Sequence, residues 1–206
     1  MISLFIDTST EDVSIALVKD NVILSSVVES LPNQHSIYAV SYLDKILKSA
    51  NISEEEVDKV MVVNGPGSFT GVRIGVTIAK VFAYVLKKDI ICLSSLKVRA
   101  LALQHDYCLS IIKANKNNYY VGLYDKDNNE VIKEQFNNLE FIEYLIKEYN
   151  PIIVSDNNNI FGDISVNKTK LDIVNIVNYY KDMEEVNVHM VVPNYLKLPQ
   201  ALEEKK

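Results

Sequence analysis

The same order of patterned segments occurs twice along this chain, and a duplicated order restricts the fold more than any single motif does. Near residue 1, Ile2–Ile6 is a short apolar run and Val13–Val18 alternates in polarity. Val22–Val28 follows the turn residues Lys19-Asp20-Asn21, so a three-stranded meander opens the chain. His35–Ser49 carries Ala39, Tyr42, Leu43 and Ile46 at i, i+3, i+4 and i+7, a helical stripe, and Lys59–Val63 reads as a buried strand. From residue 109 the order recurs: Leu109–Ile112, Tyr119–Tyr124 and Glu130–Phe136 as strands, Leu139–Tyr149 as a helix, Pro151–Val154 as a strand. The copies share no obvious residue identity, so it is the architecture that is repeated. Strands interleaved with covering helices predict an α/β protein of two related lobes, 1–106 and 107–206. Ser53 and Glu56 have the spacing of a capping box. Thr70–Leu86 and Leu96–Gln104 are predicted as helices with the strand Ile90–Leu93 between them, and past Asp156 only Ile173–Tyr180 has a helical pattern.

Charge and composition exclude several classes. The 21 basic and 27 acidic side chains leave a net charge of −6, against a chain that grips bare nucleic acid by bulk charge. With 48% hydrophobic and 23% charged residues, the chain builds a core. The longest apolar stretch, Val72–Leu86, is interrupted by Arg73 and Lys80 and is expected to be too short for a bilayer, so no membrane contact is expected. The first residues reach Asp7 with no basic segment and read as a strand, not a signal peptide. Cys92 and Cys108 make no disulfide framework, which points to a reducing cytoplasm.

The strongest local signal is Asn64–Gly75, a glycine-rich loop between a strand and a helix. Such a loop offers backbone N–H groups and a helix N-terminus to an anion. Gly65, Gly67 and Gly71 are spaced one residue too far for the dinucleotide fingerprint, no lysine follows Gly71 as a P-loop requires, and Pro66 removes a donor. The competing reading is a tight turn whose glycines let a helix pack closely. On the following helix Arg73, Thr77, Lys80 and Tyr84 form one narrow polar stripe, and Val72, Ile74, Val76, Ile78, Val81, Phe82, Val85 and Leu86 are apolar. A surface helix needs only one apolar stripe. The His35–Ser49 helix also has Ile37 and Val40 off its stripe, so the two helices are either a subunit interface or the centre of a core.

Catalytic sets are hard to assemble from this sequence. Asp7-Thr8-Ser9 ends the first strand, where it would either order a phosphate and Mg²⁺ or close the hairpin as an Asx/ST turn. His35, His105 and His189 are far apart in sequence, and no metal site is expected. Cys92 and Cys108 lack C-x-x-C spacing, and Ser94-Ser95 has no nucleophile-elbow context.

Ile6-Asp7-Thr8-Ser9, Gln34-His35-Ser36 and above all Gly65-Pro66-Gly67-Ser68-Phe69-Thr70-Gly71-Val72-Arg73-Ile74-Gly75 closely resemble the TsaB family, as does Pro193-Asn194-Tyr195-Leu196-Lys197. The resemblance implies an actin-like (ASKHA) ATPase-type fold of two duplicated RNase H-like β-β-β-α-β-α lobes. It implies a non-catalytic scaffold subunit of the bacterial machinery that makes threonylcarbamoyladenosine next to the anticodon of tRNAs reading codons that begin with A. The partners it implies are the catalytic paralogue TsaD, the ATPase TsaE and a second copy, with tRNA met only through the complex. It implies no cofactor of its own, ATP being used by the complex. Interface positions are then His35, Ala39 and Leu43 on one helix, and Phe69, Arg73, Ile74, Thr77, Lys80 and Val81 on the other. Asp7, Thr8 and Ser9 would be a vestigial nucleotide site. Where the catalytic relative carries a metal-binding His pair, this chain has Ser95 and Arg99, poor substitutes for imidazole. It also departs from its own family at Lys113-Ala114-Asn115, where an Asp-Ala-Arg-like element is usual. The alternative is an ATP-binding enzyme of the actin/sugar-kinase type using Asp7, Thr8 and the 65–71 loop.

Overall fold

Ile2–Asp7 (β1) is buried along its whole length, as a non-alternating apolar run requires of a strand covered on both faces. In the computed structural model, which describes residues 1–32, 34–103, 105–115, 117–155, 166–168 and 170–196, β1 is the centre of a five-stranded sheet. Asp12–Lys19 (β2) and Val22–Ser30 (β3) extend it antiparallel on one side. Lys59–Gly65 (β4) and Asp89–Ser94 (β5) extend it parallel on the other, giving the order β3-β2-β1-β4-β5. His35–Ala50 (α1) and Phe69–Leu86 (α2) bury Leu43, Ile46, Val72, Val76 and Ala79 against Leu4, Ile6, Ile15, Leu17, Val60 and Val62. α2 starts at Phe69 and has 18 residues, so by length and composition it is long enough to cross a bilayer, contrary to expectation. Its Val72–Val76–Ala79–Ala83 face is instead packed in the core of this lobe. The capping box is present, with the Ser53 N–H donating to Glu56 Oε2 at 2.8 Å, but it opens only the 3₁₀ turn Glu54–Glu56.

The second sheet repeats the first position for position. Tyr107–Lys113 (β6), Asn118–Asp125 (β7) and Glu130–Asn138 (β8) are antiparallel. After Leu139–Tyr149 (α4), Ile152–Ser155 (β9) and the short Asn167–Lys168 (β10) add in parallel, giving β8-β7-β6-β9-β10. Asn138 caps α4 by accepting from the Phe141 N–H at 3.1 Å. Asp125 closes the β7–β8 turn, accepting from the N–H groups of Asp127 and Asn129 at 2.9 and 2.8 Å. The Asn129 bond holds its carboxyl below the usual carboxylate range.

The chain divides into one unit of Met1–Ser95 and Asp172–Pro193, and a second of Leu96–Leu171 with the described residues after Pro193. The expected cut at 106/107 falls inside the second unit. Ser95–Ala100 (α3) is the reason, because Leu96 and Ala100 pack with Cys108, Ile112, Tyr124 and Val154. α3 also ends sooner than the expected Leu96–Gln104, continuing only as turns through Leu103, with Gln104 outside the described residues. Ile173–Tyr180 (α5) returns to the first unit because its apolar side packs on β1 and β2. Residues 181–193 follow it there as a strap.

Candidate functional site: a self-closed turn and an apolar helix face

At the end of β1 the chain makes an Asx turn, with the Ser9 N–H donating to Asp7 Oδ1 at 2.8 Å. The start of α2 is pressed onto this turn. Thr8 Oγ1 donates to the Gly71 carbonyl at 2.7 Å, and the Ser68 N–H donates to the Ser9 carbonyl at 2.8 Å. Ser68 caps α2 by accepting from the Gly71 N–H at 3.2 Å. A Cβ on Gly67, Gly71 or Gly75 would come closer than 3.0 Å to the Ser9 carbonyl, the Thr8 carbonyl or Thr8 Oγ1 respectively. Gly65 has φ 116°, a conformation that favours glycine, and its bond to Pro66 is cis. Ser95 Oγ donates to the Pro66 carbonyl, fastening the loop from β5's end. Of the two readings of Asn64–Gly75, the geometry is that of a tight turn with close helix packing.

Asp7, Thr8 and Ser9 are each 2% exposed or less. Ser9 Oγ is buried with no partner among the described residues. The Ser68 N–H and the Thr8 hydroxyl, the donors an anion would use, are bonded to the chain's own carbonyls. The ATP-binding alternative is not favoured by this arrangement. Ser95 and Arg99 are both buried. Burial pushes the thiols of Cys92 and Cys108 up to about 11 and about 12, so both stay protonated at neutral pH.

The interface residues expected from sequence divide into two groups. On α1, His35, Ala39 and Leu43 face inward and are buried, which corrects their placement on a partner-facing surface. Leu43 packs in the core, and His35 Nε2 lies 2.8 Å from the Thr10 carbonyl, so that nitrogen donates and ties α1 to the β1–β2 turn. The stripe Ala39–Leu43–Ile46 is the helix's core face, and the side chains off it, Ile37, Tyr38 and Val40, are exposed. On α2, Phe69, Arg73, Thr77 and Val81 are exposed and Ile74 is half-buried. The Arg73 guanidinium lies 3.8 Å from the Phe69 ring centroid. Tyr84 and Val85 continue the exposed face, although in sequence Val85 has the same apolar character as the buried Phe82 and Ala83.

Lys80 is also corrected. It does not reach outward but turns along α2 and donates to the Val191 carbonyl at 2.8 Å and the His189 carbonyl at 3.4 Å. Asn64 Nδ2 donates to the Val192 carbonyl at 3.0 Å, and buried Lys59 reaches the Lys181 carbonyl and Glu185 Oε1, each at 3.0 Å. Sequence reading missed this strap because its anchors lie more than a hundred positions away and carry no local pattern.

Comparison with known proteins agrees with this architecture. The sequence model described as "TsaD: tRNA N6-adenosine threonylcarbamoyltransferase" matches residues 23–177. The Bacillus subtilis (strain 168) tRNA threonylcarbamoyladenosine biosynthesis protein TsaB is 30% identical over 98% of this chain and 96% of its own length. The protein of the same name from Escherichia coli K12 is 31% identical over 62% of this chain and 57% of its own. The solved structure of YeaZ from Pseudomonas aeruginosa superposes with a TM-score of 0.80 at 21% identity, covering 94% of this chain and 99% of that one. The duplicated topology, met with these matches, is the actin-like, ASKHA-type fold. With a relative of that name matching it nearly end to end, the chain belongs to the TsaB family of tRNA threonylcarbamoyladenosine biosynthesis proteins.

Proposed function

We propose that this chain is the accessory, non-catalytic subunit of a tRNA threonylcarbamoyl-transfer complex, a scaffold that dimerises with the catalytic paralogue TsaD. The adenosine modified is the one beside the anticodon in tRNAs that read codons beginning with A. The observation that carries this reading is the outward face of α1 and α2. Ile37, Val40, Phe69, Val81, Tyr84 and Val85 are each 45–65% exposed, an apolar surface of the kind that marks an interaction site. A partner built from the same lobes presents an equivalent helix pair, so two such faces close on each other about a pseudo-twofold axis. The self-closed Asp7–Ser9 turn supports a role without nucleotide turnover in this chain, leaving ATP to the complex and its ATPase, TsaE. The same α1/α2 face accounts for a homodimer in the absence of the paralogue. A net charge of −6 supports contact with tRNA only through the complex, and two thiols without a disulfide suit a cytoplasmic protein.

The deciding experiment is reconstitution of tRNA threonylcarbamoylation from the cognate paralogue, the ATPase and activated threonine, with and without this chain. Label on tRNA that requires the chain is the expected result. Equal labelling in its absence refutes the accessory role.

A further inference from the structure

The strap formed by residues 181–193 is fastened more heavily than a tail needs to be. Lys59, Asn64 and Lys80 all donate to its carbonyls. The Val186 N–H donates to the Ile90 carbonyl at 2.9 Å, covering the edge of β5, and Val191 is plugged into the core at 1% exposure. The residues between and beside these anchors point the other way. Met190 is 71% exposed and Val192 60%, and His189 packs edge-on against Tyr84 with ring centroids 5.4 Å apart. An open groove of about 790 Å³ lies between the strap and the end of α2, lined by Tyr84, Val85, Val188 and His189 and by the charged Lys87, Lys88, Asp89 and Glu185.

We propose that the strap is a second wall of the partner surface, with Met190 and Val192, which follow the groove-lining His189 in sequence, packing on an apolar segment of the catalytic paralogue that also covers Val81 and Tyr84 of α2. The inference rests on the α1/α2 reading and extends it. Continuity identifies the occupant. Tyr84 and Val85 belong both to the outward face of α2 and to the groove, and Lys80, which holds the strap, is one residue from Val81. A chain that covers Val81 and Tyr84 therefore comes within side-chain reach of Met190. The anchors fix the strap's backbone before binding, which lowers the ordering cost of association. An exposed methionine adapts to the shape of whatever it meets.

The test uses the full chain and the purified catalytic paralogue, with affinity measured by titration calorimetry. Met190→Asp and Val192→Asp are each expected to weaken binding more than tenfold while circular dichroism and Tm stay unchanged. Val28→Asp, on the exposed part of β3, is expected to stay within twofold. Lys80→Met provides a variant that leaves Met190 in place, expected to speed hydrogen exchange at Val191 and Val192 and to weaken binding. If Met190→Asp and Val192→Asp bind within twofold of the parent while Val81→Asp abolishes binding, the strap inference is overturned and the helix face stands. If Val81→Asp is silent as well, the α1/α2 reading falls with it.

Discussion

Gly71→Ala puts the close approach of α2 to the β1–β2 turn under direct test. By helix propensity alone, the change favours the folded state by about 1 kcal/mol at most. Sterics predict the reverse, because the new Cβ would come closer than 3.0 Å to the Thr8 carbonyl, a backbone atom with no rotamer to move. Relieving that overlap shifts the first turn of α2, at about 1–3 kcal/mol for overpacking. The shift also pulls the Gly71 carbonyl from Thr8 Oγ1, a buried 2.7 Å bond, and leaving those groups unpaired costs about 1–3 kcal/mol. The sum, less the propensity gain, is a loss of about 3 kcal/mol. For a chain of this size that lowers Tm by about 6–12 °C. Differential scanning calorimetry of the parent, Gly71→Ala and Thr77→Ala measures it, the last being an exposed position on the same helix expected to move little. A Gly71→Ala protein as stable as the parent would show that propensity wins and that close packing is not why glycine stands there.

Two further perturbations probe the second unit. Lys97 is 8% exposed, donates to the Asn128 carbonyl in the β7–β8 turn, and lies 4.4 Å from the Tyr124 ring centroid. Lys97→Met keeps the stem but removes a charged donor and a cation–π contact, so urea denaturation is expected to show a loss of about 2 kcal/mol, and an unchanged midpoint would refute the clamp. Cys108 adds a pH dependence. Its folded thiol is pushed up to about 12 by burial, and an unfolded thiol titrates near about 8.5. Above that lower value the unfolded state gives up a proton that the folded state keeps. The thiol's contribution is therefore intact below about pH 8.5 and shrinks by about 1.4 kcal/mol per pH unit as pH climbs toward the folded value. Cys108→Ala is expected to fall less steeply than the parent between pH 8.5 and 10, and parallel curves would count against it.

Much of the fold was legible because its signals are local. β1 could be read as a buried strand because all of Ile2–Ile6 except Ser3 is apolar, and the repeated β-β-β-α-β order needed only period and turn chemistry. β10 was missed because two paired residues in an Asn-rich stretch leave no periodicity to detect. The site was harder for the same reason. Helical spacing identified Ala39 and Leu43 as one stripe, but a stripe facing the core and a stripe facing a partner have the same period, and only burial tells them apart. Spacing likewise put Lys80 with Arg73 and Thr77, yet its ammonium is spent on carbonyls 109 and 111 positions away. The glycine loop had two readings until the Thr8 and Ser9 carbonyls filled the space above it.

The circumference of α2 explains why its outward face is mixed rather than wholly apolar. Val72, Val76, Ala79 and Ala83 commit one sector to the sheet, and Gly71 and Gly75 commit another, at the N-terminal end, to the Thr8 turn. Lys80 and Tyr84 hold the strap along a third. What remains is narrow, and Arg73 and Thr77 interrupt it with polar groups. For a chain in the proposed accessory role, an uninterrupted apolar strip would favour indiscriminate association. The Arg73 guanidinium over the Phe69 ring counters this, since it shades an exposed aromatic face and keeps a charge in water. Interfaces of this mixed kind belong to subunits that associate and separate, whereas obligate pairs are more apolar throughout. In the proposed role, the helix whose start packs on the Asp7–Ser9 turn presents its remaining outward face as a reversible docking surface.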